Sequence, residues 1–246
     1  MTGGAEGFFI TGTDTGVGKT VVSAVIIRAL SMSGIKAGVM KPVETGCIQR
    51  DGGLIPADAL FLREAAEIDD PIDLISPVRY VNPVAPMVAE KLENRKVDLD
   101  RILNAYKTLS RKYGFMVIEG IGGLMVPVTR RQFMDKSVPY FVSDLIKALN
   151  LQVIIAARPS LGTVNHTLLT VHHALGEGLK IAGIVLNNHD RPGDTVSERT
   201  NPAVLSELCG APVIGPLPHM EHISLGNIDL IAAEFRDSIS ALTTRR

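Results

Sequence analysis

The sequence predicts a single-domain α/β fold in which a parallel β-sheet is covered by helices on both faces. Three observations carry that expectation. Short apolar runs recur at Phe8 to Ile10, Ala37 to Met40, Phe115 to Ile118, Val153 to Ala157, Ile181 to Leu186 and Val213 to Ile214, as strands buried on both faces require. Between them lie segments with helical spacing of apolar residues, and a regular alternation of strand and helix implies parallel pairing. The chain has 246 residues and 46% hydrophobic content, enough to bury a full core within one domain spanning 1–246.

The first strand runs into FFITGTDTGVGKTV, Phe8 to Val21. Gly12, Gly16 and Gly18 lack Cβ atoms, so backbone N–H groups around Val17 can turn toward phosphate oxygens, and the helix opening near Lys19 adds the positive end of its dipole. The Lys19 ammonium suits the β- and γ-phosphates, and the Thr20 hydroxyl suits Mg²⁺. A strict GxxxxGK(S/T) pattern needs glycine where this chain has Thr13, so the motif is a variant P-loop and the fold is expected to be P-loop NTPase-like. A plain strand-to-helix turn would not require lysine and threonine after the last glycine. Partition-type ATPases have a similar loop with a second lysine at the position of Asp14, which disfavours that subgroup.

The first helix should stop at Gly34, and the second strand ends in KPVETG. Ligands of open parallel sheets bind outside the carboxyl ends of the strands, so Lys41, Glu44 and Thr45 are expected to share the crevice with the first loop. ADALFLREAA reads as a helix with Asp58 in its first turn, where a carboxylate suits the dipole with or without a metal. Residues 69–86, punctuated by Pro71, Pro77, Pro83 and Pro86, read as a long connection or substrate loop. Asp98 or Asp100 can cap a helix whose apolar stripe is Leu99, Ile102, Leu103, Tyr106 and Leu109.

Glu119 closes the next strand directly before GIGG. A carboxylate there is costly without a cation or donors, and the glycines that follow, Gly120, Gly122 and Gly123, allow close approach of phosphate. VSDLIKALN is expected to be a helix. SLGTVNHTLLTVHHALGEG reads as a loop and helix, with free amides at Gly162, Thr163 and Asn165. The last two strands end in Asn187 and Asn188 and in GPLPHM, which contains Pro218, His219 and Met220. His166, His172 and His173 lack carboxylate or cysteine companions and read as surface or packing residues.

The formal net charge of -1, with acids and bases mixed along the chain, gives no basic stripe for nucleic acid or an anionic membrane. Arg245 and Arg246 read as solvated. MTGGAEG is not a targeting segment, and no apolar run nears the length of a membrane span. Cys47 and Cys209 have neither CxxC nor metal-ligand spacing, which suits a reducing compartment. A cytoplasmic location is expected.

Taken together, GTDTGVGKT, KPVETG, EGIGG, GTVNH and LNN resemble dethiobiotin synthetase through most of the chain. Met87 departs from the pattern, standing where that family often has histidine. The resemblance implies ATP- and Mg²⁺-dependent closure of a cyclic urea on 7,8-diaminononanoate with CO₂. It implies Lys41 as the catalytic residue, Thr20, Asp58 and Glu119 around the metal, and Thr45 on the substrate. It places nucleotide contacts at Gly16, Val17, Gly18, Lys19, Thr20, Val21, Gly120, Ile121 and Gly122, with Asn187, Asn188 and the Pro218 to Met220 turn at the base. It also implies a homodimer in which Gly162, Thr163 and Asn165 of one subunit complete the other's site. Two other readings compete. An amide synthetase of the cobyrinic acid diamide type needs a glutaminase domain, for which this chain has neither room nor a cysteine in a nucleophile elbow. A non-catalytic nucleotide-binding module would have no need of Lys41, Thr45, Asp58 and Glu119 together.

Overall fold

The computed structural model describes residues 6–188 and 195–244; Arg245 and Arg246 lie outside the described residues. The chain enters through β1 (Glu6–Gly12), turns into α1 (Lys19–Met32), and returns through β2 (Ala37–Met40). Gly34 sits just past α1 with φ 81, the left-handed conformation that ends a helix at little cost for glycine. Three short strands follow, β3 (Val43–Thr45), β4 (Ile48–Arg50) and β5 (Gly53–Ile55), before α2 (Ala57–Ala65). The proline-punctuated stretch is ordered into α3 (Ile72–Ile75), β6 (Val78–Tyr80) and the start of α4 (Pro86–Leu92). α5 (Leu99–Lys112) is capped by Asp98, whose side chain accepts the Arg101 N–H, so Asp98 rather than Asp100 has the capping role.

β7 (Phe115–Glu119) leads to a hairpin, β8 (Pro127–Phe133) and β9 (Lys136–Phe141), then α6 (Val142–Leu149) and β10 (Gln152–Ala157). The remaining elements are α7 (Thr163–Gly176), β11 (Ile181–Asn187), α8 (Val196–Leu208), β12 (Val213–Leu217) and α9 (Leu225–Thr243). The last strand extends three residues beyond the apolar pair Val213–Ile214 and takes in Gly215, Pro216 and Leu217.

Six strands form the central sheet in the order β12-β11-β10-β1-β7-β2, all parallel. Alternation across β1 divides the core into two. Phe8 and Ile10 face a cluster with Val22, Ile26 and Leu30 of α1, Leu62 of α2 and Ile231 of α9. Phe9 faces the opposite cluster with Ile102 and Leu109 of α5, Leu145 of α6, Val171 of α7 and Leu205 of α8. This period of two is what a strand buried on both faces imposes. None of the described helices is long and apolar enough to cross a membrane.

A buried polar contact ties the loop after α2 to the end of α5. Asp70 is buried and accepts hydrogen bonds from the Tyr113 hydroxyl and from Lys112 Nζ at 2.9 Å. Burial alone would raise its pKa, but the Tyr113 and Lys112 donors outweigh burial and hold the carboxyl below the usual aspartate value. Its contribution is therefore present above the unfolded-state pKa and is lost as pH falls through the folded one. Asp70→Asn is expected to destabilise by about 1–3 kcal/mol at pH 7, with the gap to wild type closing in acid. Urea melts of both proteins at neutral and acid pH check it.

Candidate active site

The carboxyl ends of β1, β7 and β2 open into a cleft of about 480 Å³. Its floor is the loop between β1 and α1. Gly16 and Gly18 have φ 74 and 79, and Gly18 is the N-cap of α1 without any side-chain cap. First-turn N–H groups of a helix lack intrahelical partners, so the end of α1 is left for an anion. The loop is pinned on both flanks, by Gly12 N–H to Gly122 O at 3.2 Å and by Thr13 N–H to Ala156 O at 3.0 Å. Lys19 is buried and reaches the Asp14 carbonyl at 3.3 Å. Burial first, then the Lys41 cation, lower its pKa.

Lys41 leaves the end of β2 with its backbone N–H bound to Ile75 O at 2.7 Å. Its ammonium, almost fully buried, meets Asp58 Oδ2 at 2.8 Å and also pairs with Glu119 Oε1. Burial would lower the lysine pKa, but Glu119 and Asp58 outweigh it and raise it; Lys41 carries its proton. Glu119 Oε1 also accepts the Thr20 hydroxyl at 3.0 Å. Burial and the Asp58 charge push the Glu119 pKa up, against the pull of Lys41. The other oxygen, Oε2, is buried without a partner. Glu44 is buried too and accepts the N–H groups of Asp58 and Ala59, each at 3.0 Å.

Glu119 meets the lysine through Oε1. The donor set nonetheless fits a divalent cation. Mg²⁺ is held by one or two carboxylates with substrate phosphates and water. The free Oε2 of Glu119, the Thr20 hydroxyl beside it and the Asp58 carboxylate supply that number. Among the described residues no group of three or more His, Cys, Asp or Glu side chains is arranged as an all-protein metal cage.

Thr45, Ile121 and Gly122 line the same cleft, as do Phe61 and Ile223, which have no sequence motif to mark them. Gly120 lies behind it, bonded to Ile10 O at 2.8 Å. Asn187 is buried and donates from Nδ2 to Val17 O at 3.2 Å, so its side chain braces the phosphate loop. Asn188 donates its N–H to Leu217 O at 3.3 Å, and its carbonyl lies 3.2 Å from His219 Nδ1. Met220 packs against the core under α1 and α9, and Pro218 is exposed. This asparagine–histidine corner is outside the walls of the cleft.

Gly162, Thr163 and Asn165 are not among the cleft walls either. The expectation of a free amide at Thr163 is corrected: its N–H bonds Ser160 O at 3.2 Å, and its hydroxyl is buried against Thr167 Oγ1 at 3.3 Å. Met87 is half-buried in the first turn of α4, away from the cleft. Arg158, which reaches the Thr15 and Gly16 carbonyls at 3.5 and 3.4 Å, was legible by the rule that singled out Lys41, since it directly follows an interior strand.

The model of the AAA domain family AAA_26 matches residues 6–225. The ATP-dependent dethiobiotin synthetase BioD of Thermodesulfovibrio yellowstonii is 45% identical over 222 residues, covering 90% of this chain and 92% of that one. The chain belongs to the dethiobiotin synthetase family. The Bacillus subtilis synthetase of the same name is 38% identical over 220 residues, covering 89% of this chain and 90% of its own. The fold is shared more widely. An Aquifex aeolicus MinC:MinD cell division protein complex matches with TM-score 0.50 and 13% identity, covering 98% of this chain and 97% of that one. A pNOB8 ParA bound to nonspecific DNA matches with TM-score 0.50 and 14% identity over 97% and 96%. These two likenesses concern fold alone, as expected where function is grafted onto a common scaffold.

Glu119→Gln is expected to raise the Mg²⁺ needed for half-maximal activity by about tenfold or more and to lower the melting temperature of the ligand-free protein, since Lys41 then keeps Asp58 alone. Activity titrated with Mg²⁺ at saturating ATP checks the first, and differential scanning fluorimetry the second. An unchanged Mg²⁺ requirement would remove Glu119 from the metal site.

Proposed function

We propose that this protein is a dethiobiotin synthetase, an ATP-dependent ligase that closes a cyclic urea on 7,8-diaminononanoate with CO₂. The observation that carries the reading is the buried Lys41, held between Asp58 and Glu119 at the mouth of the phosphate loop. One amine of the substrate takes up CO₂ as a carbamate. A carbamate oxygen attacks the γ-phosphorus of ATP, the bond to the β-phosphate oxygen breaks, and ADP leaves. The second amine attacks the carbamoyl carbon of the mixed anhydride, the carbon–oxygen bond breaks, and inorganic phosphate leaves with the ring closed.

Phosphoryl transfer of this kind needs positioning and charge neutralisation more than covalent help. The α1 N-terminus and Lys19 hold the phosphates, and Lys41 faces the transferring group and the carbamate. Thr45 lies on the wall where the diamine would sit. Thr20, Asp58 and Glu119 would hold Mg²⁺, which when bound neutralises phosphate charge. The corner of Asn188, Pro218, His219 and Met220 would seat the base, with Asn187 fixing the loop behind it. The described domain acts as a single synthetase unit in this reading, and a cytoplasmic location agrees with its two unpaired, buried cysteines.

The substrate's carboxylate lies a long chain away from the amines, beyond reach of the phosphate loop. In this reading it is bound at the α7 start, Gly162, Thr163 and Asn165, of a second subunit in a two-fold homodimer. Leu161 and Leu169 beside that start are 88% and 62% exposed, an apolar rim that a partner would cover.

With ATP, bicarbonate, Mg²⁺ and 7,8-diaminononanoate the protein should form the cyclic urea, detected by mass spectrometry. Lys41→Ala should lower turnover on the order of a hundredfold or more while ATP affinity changes much less. Absence of product from the wild type, or near-normal turnover by the variant, would overturn the reading.

Lys41→Ala and Asn165→Leu, each nearly inactive alone, should regain part of the activity when their subunits exchange. A sedimentation monomer, or no recovery once exchange is demonstrated, would remove the shared site.

A further inference from the structure

We propose that Glu44 is a positioning residue of this site, holding the first turn of α2 so that Asp58 meets Lys41. The proposal rests on the reading of the cleft given above. α2 starts after Pro56, and no side chain at its own start caps it. Helix caps are ordinarily supplied by the residue at the helix boundary. Here the cap comes from β3: Glu44 Oε1 takes the Asp58 N–H and Oε2 takes the Ala59 N–H, both at 3.0 Å.

Both carboxylate oxygens of Glu44 are thus spent on the first turn of α2, one on the N–H of Asp58, whose side chain meets Lys41 at 2.8 Å, and one on the N–H of Ala59 next to it. The KPVET segment therefore grips Asp58 twice, by its N–H from Glu44 and by its carboxylate from Lys41. β3 is itself fixed by parallel pairing with β6, Glu44 opposite Arg79. A side chain that needed only to shield α2 would not have to be a buried carboxylate, whose desolvation is costly unless donors satisfy it. Its place three residues after Lys41 puts the lysine and the cap on one short segment.

The test is a double-mutant cycle in the full-length protein, using Glu44→Ala, Glu44→Gln, Asp58→Asn and the Glu44→Gln/Asp58→Asn pair. Glu44→Ala should lower kcat about tenfold to a hundredfold, the scale of a misplaced constellation, with little change in the KM for ATP. Glu44→Gln, which keeps one acceptor oxygen, should fall between it and wild type. The double variant should be no slower than Asp58→Asn alone, because Glu44 acts through Asp58. Amide exchange in the ligand-free protein should quicken at Asp58 and Ala59 in both Glu44 variants. Losses that multiply in the double variant, or an unchanged kcat, would overturn the proposal. Should Glu44→Ala fail to fold, Glu44→Gln carries the cycle. Should the wild type make no cyclic urea, the reading of the cleft fails separately, and unchanged exchange at Asp58 and Ala59 would then overturn the proposal on its own.

Discussion

A buried ammonium flanked by two carboxylates is the constraint on which the rest of the site depends. Removing an ion from water costs several kcal/mol even after relaxation, and attraction in the interior offsets this only with close geometry and further hydrogen bonds. Lys41 obtains both carboxylates, and Glu119 obtains Lys41 and Thr20. The arrangement leaves the cleft without surplus positive charge: Lys19 and Lys41 stand against Asp58 and Glu119, with Glu44 behind them. Burial, then the nearby Asp58 charge, push the Glu44 pKa up to about 7. In the proposed reading a divalent cation would balance the phosphates of the bound nucleotide, and the unpartnered Glu119 Oε2 would be one of its contacts.

The sheet makes that balance possible by fixing where each charge can be. Lys41 and Glu119 end neighbouring strands, whose register pairs Met40 with Ile118. β1 lies beside β7 with Ile10 opposite Glu119, so the phosphate loop, the glutamate and the lysine emerge side by side. The loop has no freedom to drift, since Gly122 O and Ala156 O hold it from two neighbouring strand ends and Asn187 holds Val17 from a third. Asp58 comes from outside the central sheet, on α2, whose placement depends on packing and on its first turn.

The parts legible in the sequence were those written in local patterns. Apolar runs marked all six strands of the central sheet because such strands are hydrophobic on both faces, and the glycines with Lys19 and Thr20 marked the phosphate loop. The three-residue strands β3, β4, β5 and β6 were not legible, since three residues cannot show a period. The β8–β9 hairpin was missed because it is largely exposed and carries RRQFMDK at its tip, so no apolar face announces it. Strand order was out of reach, because it is set by which crossovers pack, not by any one strand. Lys41 and Glu119 were each singled out by position at a strand end, yet their pairing across 78 positions has no local signature. The Glu44 cap was hidden for a related reason: sequence rules look for a cap at the helix start, and this one lies 14 residues before the amide it serves.

The start of α7 shows what a single chain provides and where it stops. Its inner face is fixed, with the Thr163 and Thr167 hydroxyls buried against each other and the preceding turn held by Asn201 Nδ2 on the Pro159 and Ser160 carbonyls at 2.8 and 3.2 Å. Its outer face is open: Gly162 is left-handed with no side-chain cap, and Asn165 and His166 are exposed. A frayed helix end would have to be ordered by whatever it bound, at a cost in conformational entropy. A fixed end needs no such ordering, and with the Thr163 N–H already bonded to Ser160 O a carboxylate there would be taken by the remaining first-turn amides. That end is not among the walls of the cleft of its own chain, so in the proposed reading the Lys41 that would share its substrate belongs to a second subunit, and an α7 start already held in place suits that arrangement.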